Sequence, residues 1–313
     1  MRIAIVLDPL ISIKTYKDST YVMMLESVRR GHEIFVCEQH ELAVRDGVVQ
    51  ATIRRLHLTG NPDSWYRLDA DSVVVLSKFD AVLMRKDPPF DMEYVYSTYL
   101  LERAQAHGAK VFNHPRAIRD HNEKLSITEF PQFTAPTMVT RSAADLRAFV
   151  AEHGQAIFKL LDGMGGTSIF RANQGDSNLS VIIETMNRDG AQSVMAQRYL
   201  PEIKDGDKRV LLIGGKVAPF CLARVPKAGE SRGNLAAGGT GRAQPVSDRD
   251  REIGEYLGPI LFQRGLLLVG LDIIGNCLTE INVTSPTCFQ EIMQQTGFDV
   301  AAMFVDALEA EIG

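Results

Sequence analysis

Lys159-Leu160-Leu161-Asp162-Gly163-Met164-Gly165-Gly166-Thr167-Ser168 is the stretch on which the reading of this chain turns. The apolar run 156–160 in front of it reads as a strand that delivers a lysine, and residues 168–171 behind it read as a second strand. The glycine-rich turn 162–166 therefore joins strand to strand. Small residues let backbone N–H groups come close to phosphate oxygens, and a lysine neutralises their charge. A Walker A loop is excluded, because that needs Gly-Lys-Ser/Thr opening a helix. Taken alone, the turn is equally well a hairpin that happens to be rich in glycine.

Further along, Leu271-Asp272-Ile273-Ile274-Gly275 and Leu278-Thr279-Glu280-Ile281-Asn282-Val283 read as two adjacent strands. Glu280 and Asn282 are two apart and share one face, while Ile281 faces the core. With Asp272 they make an oxygen-only donor set, which suits Mg²⁺ rather than zinc or iron. A solvated strand face has the same spacing, but the apolar surroundings favour a cation beside two acids. Between the two motifs, Arg209 precedes an apolar strand and Arg224 ends the next. A hairpin through Gly214-Gly215 sets these strands side by side, so the two arginines form either an anion clamp or a pair of surface charges. Residues 225–241 are rich in Gly and poor in apolar side chains, with Arg232 and Asn234 as polar tools. A loop of that length reads as a flap over a water-sensitive site or as a plain surface loop.

Strands and helices alternate in residues 1–122: strands at 3–7, 33–37, 81–84 and 111–112, helices at 19–30 and 94–107, and a hairpin over 44–58 broken at Asp46-Gly47. That pattern predicts a Rossmann-like unit with a largely parallel sheet. Residues 123–199 predict a smaller α+β unit. Residues 200–313 predict a third, with strands at 208–213, 216–223, 267–274 and 277–282 and helices at 248–264 and 299–311. The fold class is thus α/β with α+β. The 313 residues exceed one compact unit, in keeping with such a division.

Apolar residues at 45% and charged residues at 23% are those of an ordinary globular protein. A net charge of −5 argues against a nucleic-acid partner, which calls for an excess of Lys and Arg. The apolar start is too short for a signal-peptide core, and no run approaches the ~20 residues of a membrane span. Cys37, Cys221, Cys277 and Cys288 form no CxxC pair, so neither a zinc site nor a disulfide framework is indicated, and a reducing cytoplasm is the simplest setting.

In this order, the four motifs resemble those of the ATP-grasp superfamily. Met84-Arg85-Lys86-Asp87-Pro88-Pro89-Phe90-Asp91, Asn122-Glu123-Lys124-Leu125, and the segments 162–171, 204–210, 232–239 and 279–288 are similar to signature stretches of the bacterial glutathione synthetases. His121 and Ser231 depart from the cysteine and threonine expected there. The resemblance implies an ATP-grasp fold behind an N-terminal Rossmann-like domain. It implies an ATP-dependent carboxylate–amine ligase that joins γ-glutamylcysteine to glycine through an acyl phosphate.

On this resemblance, ATP would meet Lys124, Lys159, Gly163, Gly165, Gly166, Gln197, Tyr199, Leu200, Asp207 and Arg209. Asp272, Glu280 and Asn282 would hold Mg²⁺, or Mn²⁺ in its place. Arg209, with Arg232 and Gly239 of the flap, would serve the chemical step. Asp18, Ser19, Arg85, Arg224, Asn282, Ser285 and Thr287 would face γ-glutamylcysteine and the acceptor. A homo-oligomer, a tetramer, in the cytoplasm is also implied, with neither nucleic-acid nor membrane partners. No general base for the glycine amine stands out. The competing readings are another ATP-grasp carboxylate–amine ligase, such as one that extends a tail with glutamate, and a nucleotide-binding protein without turnover.

Overall fold

The structure, a computed structural model, describes residues 1–227, 233, 235 and 238–313. The chain opens with β1 (Arg2–Leu7), α1 (Ser19–Arg29), β2 (Glu33–Glu38), β3 (Leu42–Arg45), β4 (Val48–Leu58), β5 (Tyr66–Leu68), β6 (Ser72–Val75), β7 (Ala81–Met84), α2 (Met92–Ala106), β8 (Val111–Phe112) and α3 (Pro115–Asp120). These strands form one sheet in the order β3-β4-β2-β1-β7-β8, with β5 and β6 paired to β4. Strands β2, β1, β7 and β8 are parallel, as the alternation predicts. The rest of the sheet is antiparallel, because β3 and β4 turn back about Asp46-Gly47 and β4 runs against β2. In β1, Ile3, Ile5 and Leu7 enter one core and Ala4 and Val6 another, so the strand is apolar throughout rather than alternating. Asp18 and Asp91 cap α1 and α2 by accepting from the N–H of Tyr21 and Tyr94, each cap worth about 1 kcal/mol.

The middle of the chain gives β9 (Thr137–Thr140), α4 (Ala143–His153), β10 (Gln155–Leu160), β11 (Phe170–Asn173), α5 (Leu179–Asn187) and β12 (Val194–Arg198). The sheet order is β11-β10-β12-β9, all antiparallel. Leu146, Phe149, Val150 and Ile183 of the two helices cover one face by packing on Ala156, Phe158 and Ala196. Strand period two then turns Ile157 and Lys159 to the other, uncovered face.

The last sheet consists of β13 (Asp207–Ile213), β14 (Lys216–Val217), β15 (Phe220–Val225), β16 (Thr240–Pro245), β17 (Leu268–Ile274) and β18 (Cys277–Asn282), in the order β16-β15-β13-β17-β18. Helix α6 (Asp248–Gln263) packs Ile253, Leu257 and Leu261 under Val210, Leu212, Val269 and Leu271. The helices α7 (Phe289–Thr296) and α8 (Val300–Ile312) then return to the start of the chain. Phe289, Ile292, Val300, Phe304 and Leu308 share a core with Ile3, Ile5 and Ile34 on one side and Leu211, Leu222 and Leu267 on the other. At about 1.5–3 kcal/mol per buried large side chain, this shared core welds the first and third sheets together. The middle sheet keeps its own core.

Candidate active site

The site begins as one face of the last sheet. Register pairs Asp207 with Arg224, Arg209 with Asp272, Asp272 with Glu280, and Gly270 with Asn282. Period two puts all of these on the face opposite α6. The same face is apolar further along, at Leu211 and Leu222, where it meets the first sheet and α7. The sheet is thus apolar where it is covered and charged where it is open.

The charges alternate and are almost fully paired. Arg209 donates to Asp272 through Nε at 2.5 Å and Nη2 at 3.1 Å. Arg224 reaches Asp207 Oδ2 at 2.6 Å and Asp272 Oδ2 at 2.9 Å. Burial pushes the Asp272 carboxyl up, but Arg209 and Arg224 outweigh it and hold the group below the usual carboxylate range. For Asp207, burial prevails over Arg224 and pushes the carboxyl up to about 6. Its Oδ1 is buried with no hydrogen-bond partner among the described residues. Gly270 has to be small here, since a Cβ on it would lie 2.7 Å from Cδ of Arg209.

A cleft with about 840 Å³ of open space separates this face from the open face of the middle sheet. Lys159 of β10 and Lys124 enter it from one side, their Nζ atoms 3.6 and 3.8 Å from Glu280 Oε1. Lys124 also donates to the carbonyl of Gly163. Asn122 fixes this geometry: its Oδ1 accepts from the N–H of Lys124 and Leu125, and its Nδ2 donates to Leu161 O at 3.0 Å, at the root of the glycine-rich turn. Gly163, Gly165, Gly166, Gln197, Tyr199, Leu200 and Asp207 all line the cleft. Ala135, Ile157, Ile169, Ile203 and Ile274 give it an apolar lining, the apolar slot of the cleft. Where β12 runs out, the Tyr199 ring is covered by the Arg171 guanidinium at 3.9 Å.

A second cavity, of about 850 Å³ of open space, adjoins the first. Lys124, Gly163, Met164, Gly165, Asp272 and Glu280 line both. The second also takes in Glu123, Arg209, Arg224, Asn282, Ser285, Thr287 and Cys288. Its floor is the chain after β18, which is clasped at several points. Arg85 donates to Pro286 O at 3.0 Å and accepts Ser285 Oγ–H on its own carbonyl at 3.3 Å. Ser19 Oγ accepts from the Phe289 N–H at 3.2 Å. Arg85 and Ser19 are buried, so their polar atoms hold the floor of the cavity, and the Asp18 side chain caps α1.

The donor set fits a hard divalent cation through Glu280 and Asn282. Among the described residues, no hydrogen-bond donor occupies the Glu280 carboxylate, and Asn282 donates Nδ2 to Gly270 O, with no partner on its Oδ1. Asp272 is the exception in the sequence-derived trio, as both its oxygens lie on arginines. Among the described residues, no group of three or more acidic, histidine or cysteine side chains is gathered for a metal.

Sequence reasoning left Arg209 and Arg224 as either an anion clamp or a pair of surface charges; the structure buries both and ties them to Asp207 and Asp272. His121, where the resemblance expects cysteine, is buried with Ala117 O on Nδ1 and Arg264 on Nε2. Gly239 lies against Gly233 O, and Gly233 in turn lies against Arg224 O, each so close that a Cβ would stand 2.3 Å away. Arg232, Asn234 and Ser231 of the expected flap lie outside the described residues. The apolar slot and Glu123 were missed. Strand alternation could have exposed Ile157, because Ala156 and Phe158 beside it are core residues and Lys159 is not.

The sequence model of the prokaryotic glutathione synthetase N-terminal domain matches residues 1–119, and that of the prokaryotic glutathione synthetase ATP-grasp domain matches residues 123–297. A glutathione synthetase of Ralstonia nicotianae is 60% identical over 313 residues, with 100% of this chain and 97% of that protein covered. One of Pseudomonas aeruginosa is 54% identical over 312 residues, with 100% and 98% covered. Among solved structures, the D-cycloserine synthetase DcsG superposes with a TM-score of 0.68 at 16% identity over 100% of both chains. The ATP-grasp ligase PsnB with a minimal precursor gives 0.65 at 20% identity over 99% of each. At such identities the structural likeness speaks for the fold alone, which is ATP-grasp.

Proposed function

The chain belongs to the prokaryotic glutathione synthetase family, and from that premise we propose that it joins γ-glutamylcysteine to glycine at the expense of ATP. The observation that carries this reading is the wall shared by the two cavities. Lys124, the glycine-rich turn, Asp272 and Glu280 line both, so a nucleotide in the first would present its terminal phosphate to a carboxylate in the second. Phosphoryl transfer between them needs positioning and charge neutralisation more than covalent help.

In this reading the apolar slot takes the adenine, and Gln197, Tyr199 and Leu200 frame it. Lys124, Lys159, Gly163, Gly165 and Gly166 hold the phosphates, and Asp207, with one buried oxygen unpartnered, offers an acceptor to the nucleotide. Glu280 and Asn282 would hold Mg²⁺ (or Mn²⁺), with Asp272 behind them; bound there, the ion would neutralise phosphate oxygens. Arg209 steadies the transferring phosphoryl group and then the oxyanion of the tetrahedral adduct. Arg224, Asn282, Ser285 and Thr287 face γ-glutamylcysteine and glycine, over a floor held by Arg85, Ser19 and Asp18. Arg232 and Gly239 belong to a flap over 225–241 that keeps water from the acyl phosphate. The units 1–122, 123–199 and 200–313 then serve as substrate domain, lid and catalytic platform.

The protein is proposed to act in the cytoplasm as a homo-oligomer, a tetramer on the resemblance. The cysteines are free and three of the four are buried, as suits a reducing compartment. Met92, Tyr96 and Tyr99 form one exposed apolar stripe along α2, which favours self-association. No helix among the described residues is long and apolar enough to cross a membrane.

The test is ADP release measured with each substrate omitted in turn. Release should require γ-glutamylcysteine and glycine together. Equal release with alanine or glutamate as the sole acceptor would sink the assignment.

A further inference from the structure

The reaction proposed above leaves the proton of the attacking amine without a destination. Four carboxylates line the second cavity: Asp87, Glu123, Asp272 and Glu280. Asp272 has both oxygens on arginines and is held below the carboxylate range, which makes it a poor proton acceptor. Glu280 sits between the ammonium groups of Lys124 and Lys159. Asp87 is exposed at the rim, where water surrounds it.

Glu123 differs from all three. Its Oε1 accepts from the Val283 N–H at 2.9 Å, the Thr284 N–H at 3.1 Å and the Thr284 hydroxyl at 2.8 Å. Its backbone carbonyl accepts from the Ile281 N–H at 2.8 Å. The residue is thereby fixed to the end of β18, between Asn282 and the loop that carries Ser285 and Thr287. Its Oε2 has no hydrogen-bond partner among the described residues and is not among the buried unpartnered atoms, and the residue lines the second cavity as well as a smaller one beside Pro88 and His121. One oxygen is a rigid mount and the other is free, the arrangement a positioned base requires.

We propose that Glu123 Oε2 is the proton acceptor for the amine that attacks the acyl phosphate. The inference rests on the ligase reading of the second cavity. Glycine enters as the ammonium ion. The nitrogen forms a bond to the acyl carbon, the bond from that carbon to the phosphate oxygen breaks, and two N–H protons are lost. One passes through Glu123 to solvent and the other leaves on the hydrogen phosphate, so the amide, hydrogen phosphate and one proton balance the acyl phosphate and glycine.

Hydroxylamine separates the proton step from everything before it. It is largely unprotonated at neutral pH and traps acyl phosphates as hydroxamates without a base. Glu123→Gln keeps an oxygen for the three donors of the loop and removes the proton acceptor. With ATP and γ-glutamylcysteine, the variant should form hydroxamate within about threefold of the wild-type rate, while kcat with glycine falls about 100-fold or more. Hydroxamate formation also reports that the variant is folded and phosphorylates its substrate. A glycine rate within about threefold of wild type would overturn the proposal, and so would loss of both reactions together, which would make Glu123 a loop clamp only. Absence of hydroxamate from the wild-type protein would instead overturn the acyl-phosphate reading, and the proposal with it.

Discussion

Arg209 and Asp272 face each other across paired strands with Nε and Oδ1 2.5 Å apart, both side chains almost wholly buried. Asp272 is also bound by Arg224, so one carboxylate answers two guanidinium groups in a place water hardly reaches. Removing its charge strands the buried Arg209 cation and leaves Arg224 with Asp207 alone. Asp272→Asn should cost about 3–5 kcal/mol of stability, the range for breaking a buried pair from one side. Urea unfolding at unchanged m-value reads this directly. A loss under about 1 kcal/mol would mean that the arginines find other partners.

Gly270 makes that pair possible by leaving room beside it. A methyl group there would meet Arg209 Cδ at 2.7 Å, Arg209 Nε at 3.1 Å and Pro286 Cβ at 3.2 Å. The arginine side chain can swing away, but only by giving up its geometry on Asp272. Gly270→Ala should therefore lower kcat by about 10–100-fold, since a displacement near 1 Å at a reacting centre costs about that much. The stability loss should stay within the ~1–3 kcal/mol of ordinary overpacking. Wild-type kcat in a folded variant would remove Arg209 from the chemical step.

The acid limb of stability should run in part through Glu26. Its carboxylate accepts from Arg29 at 2.6 and 2.7 Å and from Arg30 at 2.6 Å, and Arg30 continues to Asp306 and Glu309 of α8. The hydrogen bond from Arg29 leads, against burial and with Arg30, in lowering the carboxyl from 4.5 to about 2. A carboxyl lowered by folding stabilises the native state above its ordinary value, and the gain disappears as pH falls through the folded value. Wild-type stability should thus decline between pH 4.5 and about 2 through this group. Glu26→Gln should flatten that decline and lower stability at neutral pH. Parallel pH–stability curves for the two proteins would exclude the role.

Much of the site was legible because it follows strand periodicity. Glu280 and Asn282 had to share a face, and the Gly214-Gly215 hairpin had to bring Arg224 beside Asp207 and Arg209. What the spacing did not disclose is which charges pair. Asp272 reads as a metal ligand until Arg209 and Arg224 are seen lying on it: Arg209 is its register partner on β13, 63 residues away in the chain, and Arg224 reaches it across β13 from β15, a strand that is not its neighbour. The parallel core of the first sheet was legible from its apolar runs, but β5 and β6, of 3 and 4 residues on β4, are too short to show a period. Helix α7 was missed because its N-cap, Cys288, lies in the left-handed region at φ 84° and offers no Ser, Thr, Asp or Asn signal. Glu123 was invisible for another reason: its partners are backbone N–H groups 160 residues away.

A long-range clip of the same kind joins the first sheet to the third. Asn113, at the end of β8, donates Nδ2 to Leu268 O at 2.7 Å and to Val283 O at 2.8 Å, and accepts from the Leu268 N–H at 2.9 Å. One buried amide thereby pins the first sheet to β17 and to the chain leaving Asn282. All three bonds are buried, so Asn113→Ala leaves these backbone groups unpaired at about 1–3 kcal/mol for each group that stays unsatisfied. A total loss of about 2–4 kcal/mol is expected. Because Val283 neighbours Asn282 and Thr284, the loss should not be confined to stability: KM for the substrates of the second cavity should rise while KM for ATP stays near wild type. Asn113→Asp tests the geometry further, since a carboxylate keeps the acceptor for Leu268 N–H but sets an anion against two carbonyl oxygens. It should be no better than alanine. An aspartate variant as stable as wild type would show that the two donated bonds contribute little, and that the shared apolar core alone holds the first and third sheets in register.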